Sequence, residues 1–108
     1  MKVLDVGALA AGAVTQTSRP ATALVHDSAD ARVVVFRIEP GQEMAVHTST
    51  STVLLAVVSG RGTAIGAEGE RAVRAGDLVV YDTSEPHGMR AQEQLVIAAV
   101  IAPRPGSH

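Results

Sequence analysis

The chain has 108 residues and a formal net charge of −2, with nine Lys+Arg against eleven Asp+Glu. That is material for one hydrophobic core, which a chain of this size builds by burying about two thirds of its unfolded surface. There is no cysteine, which excludes disulfides and thiolate metal sites and fits a reducing, cytoplasmic setting. No basic patch emerges and the aromatics are Phe36 and Tyr81 alone. Neither phosphate neutralisation nor base stacking is provided for, so nucleic acid is not an expected partner.

In chain order, residues 5–14 are Ala-rich and suit one short helical turn, weakened by Gly7 and Gly12. Asp5 breaks any signal-like apolar stretch, so no targeting segment is read there. Short strands are then expected at residues 22–25, 33–38, 43–47, 53–58, 63–66, 71–74, 78–81 and 95–102, where Val, Leu, Ile and Thr concentrate. Turns are marked by Pro40-Gly41, Gly60 to Gly62, Gly66 to Gly69 and Gly76-Asp77. The runs at 53–58 and 95–102 fall far short of the ~20 apolar residues of a membrane span. The pattern is that of an all-β sandwich or barrel forming a single domain over residues 1–108, with residues 103–108 as a loose tail. Some strands are apolar at every position, as at 53–58, so both of their faces need cover. A second sheet covers one face, and a homodimer is expected to cover the other.

Two segments resemble the motifs of the cupin superfamily. Gly41, His47 and Gly60 stand at the Gly, first His and closing Gly of the first motif, while Gly76-Asp77 and Pro86-His87 match the second. The resemblance spans about residues 33–102 and implies an antiparallel double-sheet jelly-roll β-barrel. The sequence departs from the family pattern at the second His position, which holds Ser49, and at the Glu/Gln position, which holds Val53. Asp82 and Ser84 stand where the second motif has Pro and Gly, and Ala91 replaces the late Asn. Of the four metal-ligand positions, His47 and His87 remain.

By this resemblance His47 faces the interior together with Ser49, Ser51 and Val53, and His87 faces it from another strand. Two imidazoles in an apolar cup can share one divalent metal (Fe, Mn, Ni or Zn), with water or substrate completing the shell. Equally, they can be buried neutral histidines bonded to hydroxyls or water. Asp82 and Glu85 are the nearby carboxylates: each is a third ligand or orienting base, or else Asp82 opens a turn and Glu85 is solvated. Tyr81 can hydrogen-bond a ligand or pack its ring with a wet hydroxyl. The Ser/Thr run at 48–52 reads as polar lining rather than as a nucleophile, since no oxyanion nest accompanies it. Met44 and Met89 flank the two histidines as packing, His26 belongs to a turn and His108 to the tail.

Two functions stay open. One is binding of a small molecule in the cup by His47, Ser49, Ser51, Tyr81 and His87. The other is a metal-dependent cupin enzyme, a dioxygenase, isomerase or lyase, centred on His47 and His87.

Overall fold

The computed structural model describes residues 1–105, except for the side chains of Val46 and His47. Residues 106–108, with the expected tail histidine His108, lie outside the described residues. The chain opens with helix α1 (Val6–Gly12), then runs through nine strands: β1 (Ala21–Asp27), β2 (Arg32–Ile38), β3 (Glu43–His47), β4 (Thr52–Ser59), β5 (Arg61–Gly66), β6 (Gly69–Arg74), β7 (Leu78–Tyr81), β8 (His87–Ala91) and β9 (Leu95–Ala102). They form two antiparallel sheets, in the orders β1-β2-β9-β4-β7 and β3-β8-β5-β6.

The strands follow from alternation on a pleated surface. On β4, Val53, Leu55 and Val57 are buried and face the second sheet, while Leu54 and Ala56 between them are half-buried on the outer face. β9 is apolar throughout because both its faces are packed in part. Leu95, Ile97 and Ala99 enter the core between the sheets, and Val96 packs under α1 with Val35 and Ala10. The helix is seven residues long, too short to persist alone. Asp5 caps it, its Oδ1 accepting from the Ala8 N–H at 3.0 Å. The buried Arg37 guanidinium donates to the carbonyls of Ala10, Ala11 and Ala13 and to the Thr15 hydroxyl, which fastens the helix C-terminus to the sheet.

Sequence periodicity leaves out β8, whose His-Gly-Met-Arg-Ala run lacks both alternation and β-branched residues. It is a strand because it lies inside the second sheet, paired with β3 and β5. The double-sheet jelly roll is as expected, but its closure into a barrel is not. Among the described residues no ladder joins β1 to β3 or β6 to β7. β6 carries Glu70, Arg71 and Arg74, which stay in water instead of closing over the apolar β7. Pro103 and Arg104 of the expected loose tail are tied down, by the Ser51 hydroxyl and by the Asp27 carboxylate respectively. No helix among the described residues is long and apolar enough to cross a membrane.

Candidate functional site

β3 and β8 are neighbours in the second sheet, and their register sets His47 directly opposite His87. Positions that face each other across an antiparallel pair lie ~5 Å apart. The His47 side chain lies outside the described residues. The next pair along the ladder, Met44 opposite Met89, is buried and packs as expected.

His87 is 3% exposed. Its Nδ1 is 3.3 Å from the Glu85 carbonyl, a contact that orients the ring and places a proton on Nδ1, since a carbonyl can only accept. The Tyr81 ring packs on it, with centroids 5.2 Å apart and planes tilted by 44°. Tyr81 arrives from the other sheet, beside Val53 on β4. Its ring is packed, but its hydroxyl is not wet. The hydroxyl lies 2.9 Å from the Ile65 carbonyl and 3.2 Å from that of Gly88, the terminal pair of the β5–β8 ladder, and donates there. Tyr81 thereby bridges the two sheets where, among the described residues, no strand pairing does. Burial pushes its ionisation above the ordinary value of 10.0, with the Glu85 charge adding in the same direction.

The alternation read through Ser49 and Ser51 stops at His47, because residues 48–51 form the bend into β4. Ser49 Oγ accepts from the Ser51 N–H at 3.0 Å, and the Ser49 carbonyl accepts from the Ser84 N–H at 2.7 Å. Ser51 is 2% exposed and its hydroxyl donates to the Pro103 carbonyl at 2.7 Å. The structure thus brings Tyr81 and His87 into contact and places His47 across from His87, while both serine hydroxyls are engaged in holding the loop.

Sequence reasoning undervalued Glu85. It is half-buried, and its Oε1 accepts from the Asp82 N–H at 3.1 Å while its own N–H donates to the Asp82 carbonyl. This turn puts the backbone of Ser84 at φ 66°, a left-handed position that a glycine adopts without strain. The signal was the Glu immediately before Pro86-His87, at the end of a turn whose type the sequence alone did not define. Glu85 and Tyr81 line a groove of about 550 Å³ between β6 and β7, walled also by Gly66, Glu68, Arg71 and Val79.

A two-sheet jelly roll with histidines at facing positions of the β3–β8 ladder defines the class, and the comparisons agree with it. The cupin domain model matches residues 34–101, and the chain belongs to the cupin family. An RmlC-like cupin protein from Desulfovibrio desulfuricans is 31% identical, with a TM-score of 0.73 over 79% of this chain and 83% of its own. A conserved protein with a double-stranded β-helix domain from Klebsiella pneumoniae shares the fold at TM-score 0.87 and 23% identity, over 100% of this chain and 94% of its own. The protein TT1209 from Thermus thermophilus shares it at TM-score 0.87 and 24% identity, over 97% and 100% respectively. Curated proteins give no match.

Proposed function

We propose that the protein binds a small organic molecule at the Tyr81–His87 pair, entered along the groove between β6 and β7. The observation that carries this reading is Tyr81, which lines a groove of about 550 Å³ together with Glu85 and packs against the His87 ring behind it. The edge of the Tyr81 ring supplies an apolar wall and the Glu85 carboxylate a polar atom, the combination that fixes a ligand's orientation. The groove wall carries Glu68, Glu70, Asp77 and Glu85 against Arg71. Its potential therefore favours a neutral or cationic ligand over an anionic one.

A metal-dependent enzyme is the second reading, favoured by the register that sets His47 opposite His87. The donor set fits the family's metal shell poorly. Val53 is aliphatic and buried, and Ser49 Oγ is occupied by the Ser51 N–H. Two imidazoles without a carboxylate make an incomplete shell, and no reaction step is derived through a metal.

Calorimetric titration with a panel of neutral and cationic organic compounds, and separately with Fe(II), Mn(II), Ni(II) and Zn(II), tests both readings. The His87→Leu variant is expected to weaken binding of any hit by at least about tenfold, ~1.4 kcal/mol. His47→Leu tests the position opposite, and substitutions at His26 and His108 should leave binding unchanged. The site reading fails if both Leu variants bind as the parent does. Substoichiometric uptake of all four metals removes the enzyme reading.

A further inference from the structure

The inner face of β5 carries no large side chain. By alternation it consists of Gly62, Ala64 and Gly66, the first two opposite the buried Ala91 and Met89 of β8. Packing dictates those two. A Cβ at Gly62 would stand 2.4 Å from the Arg90 carbonyl oxygen and 2.8 Å from Leu95 Cδ2, and Ala64 is itself part of the core. Gly66 is under no such constraint. Its φ lies outside the left-handed region, which the β5–β6 hairpin keeps for Gly69 at +122°. A Cβ built on Gly66 would meet Glu85 Oε2 at 3.4 Å and Tyr81 Cε1 at 3.6 Å, both ordinary contacts. Alanine therefore fits and would stiffen the strand end. A strand glycine that neither backbone nor core requires marks a place kept clear for something that approaches closely.

Gly66, Tyr81 and Glu85 all line the groove between β6 and β7. Within it Glu85 is a held acceptor. Its Oε1 accepts from the Asp82 N–H and its own N–H donates to the Asp82 carbonyl, each at 3.1 Å, and Pro86 follows directly. Oε2 is the oxygen beside Gly66. Among the described residues it accepts no hydrogen bond and Glu85 joins no ion pair, although Arg71 lines the same groove. Two other carboxylates of the wall are engaged elsewhere, Glu70 by Arg90 and Asp77 by the Arg74 N–H.

We infer that Gly66 sets the specificity of this groove, and that the group it admits is the primary ammonium of a short aliphatic amine, seated on Glu85 Oε2 beside the Tyr81 ring edge. This deepens the reading of the groove as the ligand site and rests on it. The bare backbone of Gly66 leaves Oε2 uncovered. A methyl group at 3.4 Å would lie against that oxygen and take one side of it from ligand and water alike, leaving a charged acceptor partly desolvated and unpaired.

The chemistry of the surroundings selects the ammonium. It is compact and carries three donors, and its bond to a carboxylate is roughly twice as strong as one between neutral groups. The methylenes behind it lie along apolar wall, the Tyr81 ring edge and Val79. A trimethylammonium has the same charge but no N–H and a wider tip. An alcohol of equal length has a donor without the charge, and a carboxylate meets Glu85 as like charge.

Tyr81 is the sole tyrosine and there is no tryptophan, so ultraviolet difference absorbance reports a molecule seated at its ring. Butylammonium, butyltrimethylammonium, 1-butanol and butyrate are titrated into the full chain up to ~100 mM, a range suited to ligands this small. The parent is expected to bind butylammonium at least about tenfold more tightly than the other three. Gly66→Ala should unfold in denaturant no earlier than the parent, weaken butylammonium by at least about tenfold and change 1-butanol by less than about twofold. Glu85→Gln should remove the preference for the ammonium. Gly12→Ala, on α1 with nothing within 4 Å of its Cβ, should alter neither affinity. A parent that binds the alcohol or the trimethylammonium as well as butylammonium, or a Gly66→Ala variant that keeps the preference, overturns the specificity and leaves the groove reading standing. So does a Gly66→Ala chain that unfolds earlier than the parent, since the glycine is then a packing requirement. A parent that binds none of the four overturns both.

Discussion

Tyr81 carries more of the structure than one side chain usually does. It packs on His87, stands beside Val53 and donates its hydroxyl across the open side of the sandwich. Because burial raises its ionisation, the folded protein holds the phenol proton more tightly than the unfolded chain does. The resulting stability is fully present below the unfolded tyrosine value of ~10 and drains away as pH rises through the folded value. Tyr81 is the sole tyrosine and there is no tryptophan, so absorbance near the tyrosinate band reports this residue alone. Its alkaline midpoint should lie above 10 in buffer and return to ~10 in concentrated urea; an unchanged midpoint would refute the buried, bonded hydroxyl. Gly60 makes a second residue-level case. Its φ is +87°, and a Cβ there would stand 2.0 Å from the Gln94 carbonyl oxygen. Backbone cannot yield as a flexible side chain does, so Gly60→Ala should cost at least ~3 kcal/mol in denaturant unfolding. Ser84, at φ 66° with an exposed side chain, goes the other way. Ser84→Gly should be neutral or stabilising by up to ~1 kcal/mol, as relief of left-handed strain offsets the added chain entropy.

Among the elements, α1 depends most on its surroundings. Its apolar contact is small, centred on Ala10 with Val35 and Val96, and its C-terminal carbonyls are satisfied by Arg37 from β2. Gln42 extends the same fastening, its Nε2 donating to the Gln16 carbonyl at 2.9 Å. Replacing Arg37 with alanine takes the guanidinium from the Ala11 and Ala13 carbonyls and the Thr15 hydroxyl, leaves the buried Ala10 carbonyl with the Ala13 N–H alone, and removes the partner of Glu39 at 2.9 Å. Arg37→Ala should therefore destabilise by about 2–4 kcal/mol. Hydrogen exchange should accelerate first in residues 6–16, while the amides of β4 and β9 stay protected. Uniform loss of protection would show instead that the helix unfolds only with the sheets. β8 illustrates the converse dependence: a segment of weak strand propensity is held extended by ladders on both sides.

Across the whole molecule, the two sheets meet over one apolar core, and their separate edges leave the β6–β7 side open. The radius of gyration is 13.0 Å, the value expected of a compact chain of this length. X-ray scattering from a dilute sample should give a radius close to it. Far-ultraviolet circular dichroism should be dominated by strand, the helix among the described residues being the seven of α1.

The sequence by itself determined the strand-rich class, eight of whose strands it places to within two residues at either end, and the family through Gly41, His47, Gly76-Asp77 and Pro86-His87. These are local properties: alternation, β-branching and turn glycines act over a few residues and survive in a linear reading. It also settled that the positions of Ser49 and Val53 had lost their ligand chemistry, since side-chain identity needs no fold. Only the tertiary structure decided that residues 87–91 form a strand, that the two sheets stay unclosed, and that the Tyr81 hydroxyl spans the gap between them. It alone showed that Ser51 holds Pro103 and that Arg37 holds the helix. Each of these rests on partners far apart in the chain, 52 positions for Ser51 and Pro103 and 27 for Arg37 and Ala10. Such pairings depend on strand order and register, which no short window of sequence contains.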